Sequence, residues 1–380
     1  MSFFKQLFIA TVTLLILPFA WGQAQQKQAH IGYVFPAGGQ KGTVSIISVG
    51  GQALKDVDEV YVSGEGVTGR VLLYLRPLSN MQRQELAKQL QEIRGRRFPN
   101  APVRREQPLR AVDTTKNDNP NKKEFKVELP DYPMFRDLEN KSPRELKQIA
   151  DEYLNPKRQQ QPNEAIAETI VLEITIDKNA DTGPREIRLS TKTGMTNPLR
   201  FEVGAFPEIR EEEPNDPNAP RMDFLTLPVV INGQIRDSDV DRYRFEAKQG
   251  DILVAETKAR TLIPYLADAV PGWFQATLTL FNANGDEVAY VDDFRFDPDP
   301  ILSYRVPEDG EYELEIRDAI YRGRDDFVYR VTLGKTPFVT GLFPLGGRSG
   351  KSSYSWVTGW NLNQRQIELD TQPGPDNIRE

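Results

Sequence analysis

The chain has 380 residues, 38% hydrophobic and 27% charged, with 28 Pro and 27 Gly. This is a turn-rich globular composition, which excludes a disordered polymer and predicts two or three domains rather than one core. The formal net charge of −7 gives no global attraction for nucleic acid or an anionic membrane, and the absence of cysteine excludes disulfides and a lipoprotein anchor.

The first element is a leader. Lys5 precedes an apolar-leaning stretch of 14 residues from Leu7 to Ala20, and small residues follow at Gly22 and Ala24. A run this short does not span a bilayer comfortably, so residues 1–24 read as a signal peptide cleaved near Gly22 or Ala24. No later stretch is long and apolar enough for a span. The expectation is a secreted or periplasmic protein with no membrane contact after cleavage.

From His30 to Leu78 the pattern is strands and tight turns. Ile31 to Phe35 and Val44 to Val49 are apolar or β-branched runs, with Pro36-Ala37-Gly38-Gly39 between them as a turn, and Val57 to Val62 and Val67 to Tyr74 continue the series. The period then changes. Ser79 and Gln82 form a capping box ahead of Leu86, Leu90 and Ile93, a helix that Gly95 is expected to end. Arg94, Arg96, Arg97, Arg104 and Arg105 make a basic cluster, which fits either a helix C-terminus or an acidic partner. A second box, Ser142 with Glu145 and Pro143 at the first helical position, opens a helix that Asn155-Pro156 stops. Residues 78–165 therefore read as a helical insertion.

Strands resume with the alternation of Leu172, Ile174 and Ile176 and run on to Val203. The acidic linker Glu211-Glu212-Glu213-Pro214-Asn215-Asp216 marks a boundary. Eight short strands follow between Val229 and Leu333, one pair joined at Asn284-Gly285, as in an antiparallel sandwich or jelly roll. Phe35-Pro36-Ala37-Gly38-Gly39 and Gly51 match Phe343-Pro344-Leu345-Gly346-Gly347 and Gly359 at one offset, since 343 − 35 and 359 − 51 are both 308. The first module therefore starts again near Pro337, with too few residues left to complete it. The fold class is mainly β, with tandem sandwiches and a helical insertion in the first. The expected division is 1–24 signal peptide, 25–206 immunoglobulin-like sandwich interrupted at 78–165, 207–335 central sandwich, and 336–380 an incomplete second immunoglobulin-like module.

Glu213-Pro214-Asn215-Asp216, Gly233-Gln234-Ile235, Asp239-Val240-Asp241-Arg242-Tyr243, Pro307-Glu308-Asp309-Gly310 and Tyr329-Arg330-Val331 occur in the order and spacing of the bacterial pre-peptidase C-terminal (PPC) domain, which this segment resembles. The flanking modules resemble the immunoglobulin-like domains that accompany it in exported proteins of planctomycete-type bacteria. The resemblance implies a non-catalytic accessory sandwich associated with secretion, substrate adhesion or calcium.

Calcium has an independent chemical rationale, because the ion takes several oxygen ligands from carboxylates and carbonyls. Glu213, Asn215 and Asp216 cluster at the domain edge, and Asp237, Asp239 and Asp241 cluster at the entrance to a strand. If the linker folds back, these six meet around Ca²⁺; otherwise they are a turn and a solvated patch. Asp292, Asp293, Asp297 and Asp299 form a second acidic loop, read as solvated. Trp273-Phe274 is either an exposed aromatic platform or a packed loop. The single histidine, His30, has no recognisable catalytic partner, and triads and zinc sites usually need His or Cys. The expected function is non-catalytic adhesion, scaffolding or substrate binding. The partner would be an extracellular or periplasmic protein or polysaccharide, not nucleic acid. The alternative is the non-catalytic front of a larger secreted peptidase or other hydrolase.

Overall fold

The computed structural model describes residues 28–97, 127–154, 164–192, 194–213, 215–217, 223–236, 238–263 and 273–372. The leader, Arg104, Arg105 and Asp237 lie outside the described residues. The architecture is tandem β-sandwiches with a small helical insertion.

Two sheets build the first sandwich. One orders the strands His30–Phe35, Val44–Gln52, Glu168–Ile176 and Val67–Leu75; the other orders Gly38–Gln40, Leu199–Gly204, Gly183–Thr191 and Val57–Val62. The alternation that predicted these strands is visible in their burial: Ile170, Leu172 and Ile174 face inward and are fully buried. Gly38-Gly39, expected as turn residues, instead enter the second sheet as a parallel strand against Glu202–Gly204. The chain crosses from one sheet to the other at Pro36-Ala37.

The insertion carries helix α1 (Asn80–Arg97) and helix α2 (Pro143–Leu154). Both capping boxes form. Ser79 N–H donates to Gln82 Oε1 at 3.1 Å, and Gln82 N–H donates to Ser79 Oγ at 3.2 Å. Ser142 N–H donates to Glu145 Oε2 at 2.7 Å, and Glu145 N–H donates to Ser142 Oγ at 3.2 Å. Leu86, Ile93, Phe135, Leu138 and Ile149 close a core of their own. Gly95 does not end α1, which continues to Arg97. A glycine is tolerated near a helix end at a cost of about 1 kcal/mol relative to Ala.

The central sandwich packs a sheet of Glu208–Arg210, Val229–Gln234, Val328–Gly334, Ile252–Lys258 and Ile301–Arg305 on a sheet of Val240–Ala247, Gly310–Asp318, Ala276–Asn282 and Glu287–Val291. Phe245, Leu278, Leu314 and Ile316 sit at its centre. It meets the first sandwich through buried charge. Arg330 donates to Glu208 Oε2 at 2.8 Å and Oε1 at 2.7 Å, and Lys258 Nζ donates to Glu202 Oε2 at 2.9 Å.

The last sheet, Phe338–Phe343, Ser353–Trp360 and Gln366–Leu369, repeats the first strand pair at the offset of 308. Ile31 opposes Gly51 and Val339 opposes Gly359, with a bulge following in each, between Ile31 and Tyr33 and between Val339 and Gly341. Only glycine fits at the two equivalent positions. A Cβ on Gly51 would lie 2.2 Å from His30 O, and one on Gly359 would lie 2.0 Å from Phe338 O. Cover differs where register does not: Phe35 is 4% exposed and Phe343 is 75% exposed. Phe294 of the central sandwich packs on Phe338 and Trp360, with ring centroids 5.6 and 6.2 Å away. No helix among the described residues is long and apolar enough to cross a membrane.

Candidate metal centre

An extended segment, Glu208–Arg210, pairs in parallel with Val230–Asn232 and delivers the acidic linker to one end of the central sandwich. Glu211 N–H donates to Asn232 O at 2.9 Å, and Gln234 N–H donates to Glu211 Oε2 at 2.9 Å, so Glu211 is fixed by backbone on both sides. In extended chain, residues two apart share a face, so Glu213 follows Glu211 inward while Glu212 is exposed. The same period acts on the neighbouring strand. Asp241, Tyr243 and Phe245 point into the sandwich and are at most 2% exposed.

The result is a group of three carboxylates, Glu211, Glu213 and Asp241, whose nearest oxygens lie within 4.8 Å of one another. A calcium–oxygen distance of about 2.4 Å places opposite ligands about 4.8 Å apart, so the spacing fits that ion. Asp239 joins them from the turn, its Oδ2 accepting from Arg236 N–H at 3.2 Å and its Oδ1 from Val240 N–H at 3.1 Å. Asn215 is buried beside them, held by Arg242 N–H donating to its carbonyl at 3.1 Å. Its side-chain oxygen faces Asp241 Oδ1 at 2.9 Å and Glu213 Oε2 at 3.3 Å, acceptor against acceptor. Rotating the amide makes both contacts hydrogen bonds; a cation between the oxygens also removes the repulsion.

The floor is two tyrosines. Tyr329 Oη donates to Asp241 Oδ2 and lies 2.6 Å from Tyr243 Oη. Gly233 leaves room for them, since a Cβ there would stand 2.1 Å from Tyr329 Oη and 2.6 Å from Glu211 Oε2.

The electrostatics are those of negative charge lacking counter-charge. Burial pushes Glu211 up to about 8, with Gln234 N–H opposing the rise and Glu213 adding to it. Burial raises Asp241 well above the carboxylate range, reinforced by Glu211 and Asp239. Desolvation raises Glu213, although that residue stands at the exposed rim, and Asp239 adds to it. Asp239 is raised by burial as well. Arg236 favours the ionised forms, but among the described residues it makes no ion pair with any of the four, and its Nε is buried without a hydrogen-bond partner. The donor set is hard oxygen, with negative charge in excess, which suits a divalent hard cation.

Of the six residues expected at the site, the structure brings together Glu213, Asn215, Asp239 and Asp241. Asp216 is half-buried on the same linker and is not a member of the carboxylate group; Asp237 lies outside the described residues. Glu211, Tyr243 and Tyr329 complete the site and were not anticipated, although the two-residue spacing of Glu211 and Glu213 is a readable signal. The second acidic loop departs from its expected solvation at one position. Asp299 is buried and accepts from Ala259, Arg260 and Thr261 N–H at 3.0, 2.6 and 2.9 Å, a structural clamp. Phe274 is a core residue stacked on Phe327 at 5.3 Å, and Trp273 lies under Arg260 at 5.7 Å.

No family model matches the chain. Over 108 residues it is 34% identical to a probable subtilase-type serine protease of Deinococcus radiodurans, covering 27% of this chain and 14% of that protein. A solved PPC domain of a collagenase from Bacillus anthracis matches over 31% of this chain and 99% of that domain, at 15% identity and TM-score 0.23. A secreted serine protease from Vibrio cholerae matches over 82% of this chain and 51% of that one, at 7% identity and TM-score 0.20. The chain thus spans only 14% of the curated protease it matches.

Proposed function

We propose that this chain is an exported, non-catalytic binding or scaffolding protein whose central sandwich is rigidified by Ca²⁺ held by Glu211, Glu213, Asn215, Asp239 and Asp241. The observation that carries the reading is the fully buried Asp241 within 4.8 Å of two further carboxylates and without an ion-pair partner among the described residues. In this reading the metal ties the linker to the strand Val240–Ala247 and so fixes the approach of the first module. The modules serve adhesion or attachment to an extracellular or periplasmic protein or polysaccharide. A single histidine and no cysteine support a non-catalytic role.

A second reading, the non-catalytic part of a larger secreted peptidase, is favoured by the 108-residue stretch shared with the Deinococcus radiodurans protease. It keeps the same site and the same role.

The test is thermal melting of the whole chain in EDTA and in Ca²⁺. The expected result is a rise in Tm with Ca²⁺ that disappears in Glu211→Gln and in Asp241→Asn. A melting temperature indifferent to Ca²⁺ in the parent chain would overturn the proposal.

A further inference from the structure

The strand that carries Asp241 inward carries Arg242 outward. Across the outer face of its sheet, register sets Arg242 opposite Glu315, Glu315 opposite Thr279, and Thr279 opposite Tyr290, a single row over four strands. The row is cross-linked. Arg242 Nε donates to Glu315 Oε2 at 2.8 Å and its Nη1 to Glu313 Oε1 at 2.8 Å, while Arg317 Nε lies 3.5 Å from Glu315 Oε1. Aromatic rings flank it: Arg242 lies 4.6 Å from the Phe281 centroid, and Arg317 lies 4.5 Å from that of Tyr321. Together they line an open groove of about 410 Å³, between Pro217 and Tyr321.

Three features of this groove select a ligand. Its lining holds two guanidiniums, Arg242 and Arg317, and two carboxylates, Glu287 and Glu315, so it carries no net charge to concentrate an ionic ligand. The paired groups present donors and acceptors in a fixed array, with strands about 4.8 Å apart. Tyr290 and Tyr321 stand 44% and 53% exposed, offering apolar ring faces with polar tips. Tyr321 also has a φ of 58°, a left-handed conformation disfavoured by about 1 kcal/mol for a non-glycine residue. Its N–H donates to Asp318 O at 3.0 Å and its ring lies against Arg317, which keeps it at the edge of the groove.

We infer that this face binds a neutral polysaccharide, with Tyr290 and Tyr321 as stacking platforms for the sugar rings and the Arg–Glu row as the hydroxyl-binding array. The inference rests on the reading of the chain as a binding protein and names its ligand class. Its test is separable from the calcium test: a chain that melts later in Ca²⁺ yet binds no glycan fails here alone, and the converse fails there alone.

The experiment is native gel electrophoresis of the whole chain through gels containing soluble mixed-linkage β-glucan, xyloglucan or galactomannan, with anionic polygalacturonate for comparison. Migration is expected to slow in at least one neutral polysaccharide. Tyr290→Ala with Tyr321→Ala should weaken that binding by about tenfold or more, and Trp356→Ala on the exposed last sheet should leave it unchanged. The inference is overturned by no retardation in any neutral polysaccharide, by retardation confined to polygalacturonate, by a double variant that binds like the parent, or by loss in Trp356→Ala.

Discussion

Asp241 and Asp318 are both fully buried in the central sandwich, and their surroundings are opposite. Burial alone would raise either. At Asp318 that effect is overcome by the Arg322 guanidinium and by the N–H groups of Arg322, Gln275 and Ile320, which hold the carboxyl below its usual range. Asp241 has one tyrosine hydroxyl and three carboxylate neighbours, and it is held well above that range. Acid density is the same signal in both cases. Whether a counter-charge is built in separates a structural aspartate from one that awaits a cation.

Removing the two side chains should therefore have opposite consequences. Asp318→Ala leaves Arg322 and several N–H groups without an acceptor and should cost about 3–5 kcal/mol in urea denaturation. The next effect sharpens the cavity at the carboxylate group. Gly233→Ala pushes a methyl into Tyr329 and Glu211 and should cost about 1–3 kcal/mol, with a reduced Ca²⁺ response.

Glu211→Gln should instead stabilise the metal-free chain at pH 8, on the order of 1 kcal/mol, since a shift of one unit is worth about 1.4 kcal/mol. Glu211 is raised in the folded state from 4.5 to about 8. Its contribution is complete below pH 4.5 and is lost as the pH climbs through 8, so the advantage of Gln vanishes at pH 5. For the same reason the Ca²⁺-induced rise in Tm should be larger at pH 8 than at pH 5, because binding must displace fewer protons. The smallest effect is expected on the outer face. Glu311→Ala removes an exposed pair with Arg244 and should change stability by less than about 1 kcal/mol.

Much of the fold was legible because local chemistry settled it. Alternation placed the strands around Leu172 and Tyr243, and the boxes at Ser79 and Ser142 placed both helices. The repeat of Gly51 at Gly359 gave the same register twice, since a close approach to a carbonyl acts locally. Burial did not follow from that local signal. Phe343 repeats Phe35 but lacks what covers it: Phe35 lies under Arg210 at 4.5 Å, a contact between residues far apart in sequence. The site was half legible for a related reason. Asp239 and Asp241 share a face by strand period, but Glu211 was read as part of a solvated run. Its inward turn depends on hydrogen bonds from Asn232 and Gln234, which belong to another strand. Asp299 was misread likewise, because its three N–H donors lie about forty residues away in sequence.

Equilibrium dialysis of the metal-stripped chain against radioactive calcium at pH 8 tests the central claim most directly. The account predicts saturable binding at the Glu211–Glu213–Asp241 site that is lost in Asp241→Asn, while Asp216→Ala retains it. A chain that takes up no calcium, or an Asp241→Asn variant that takes up as much as the parent, would contradict it.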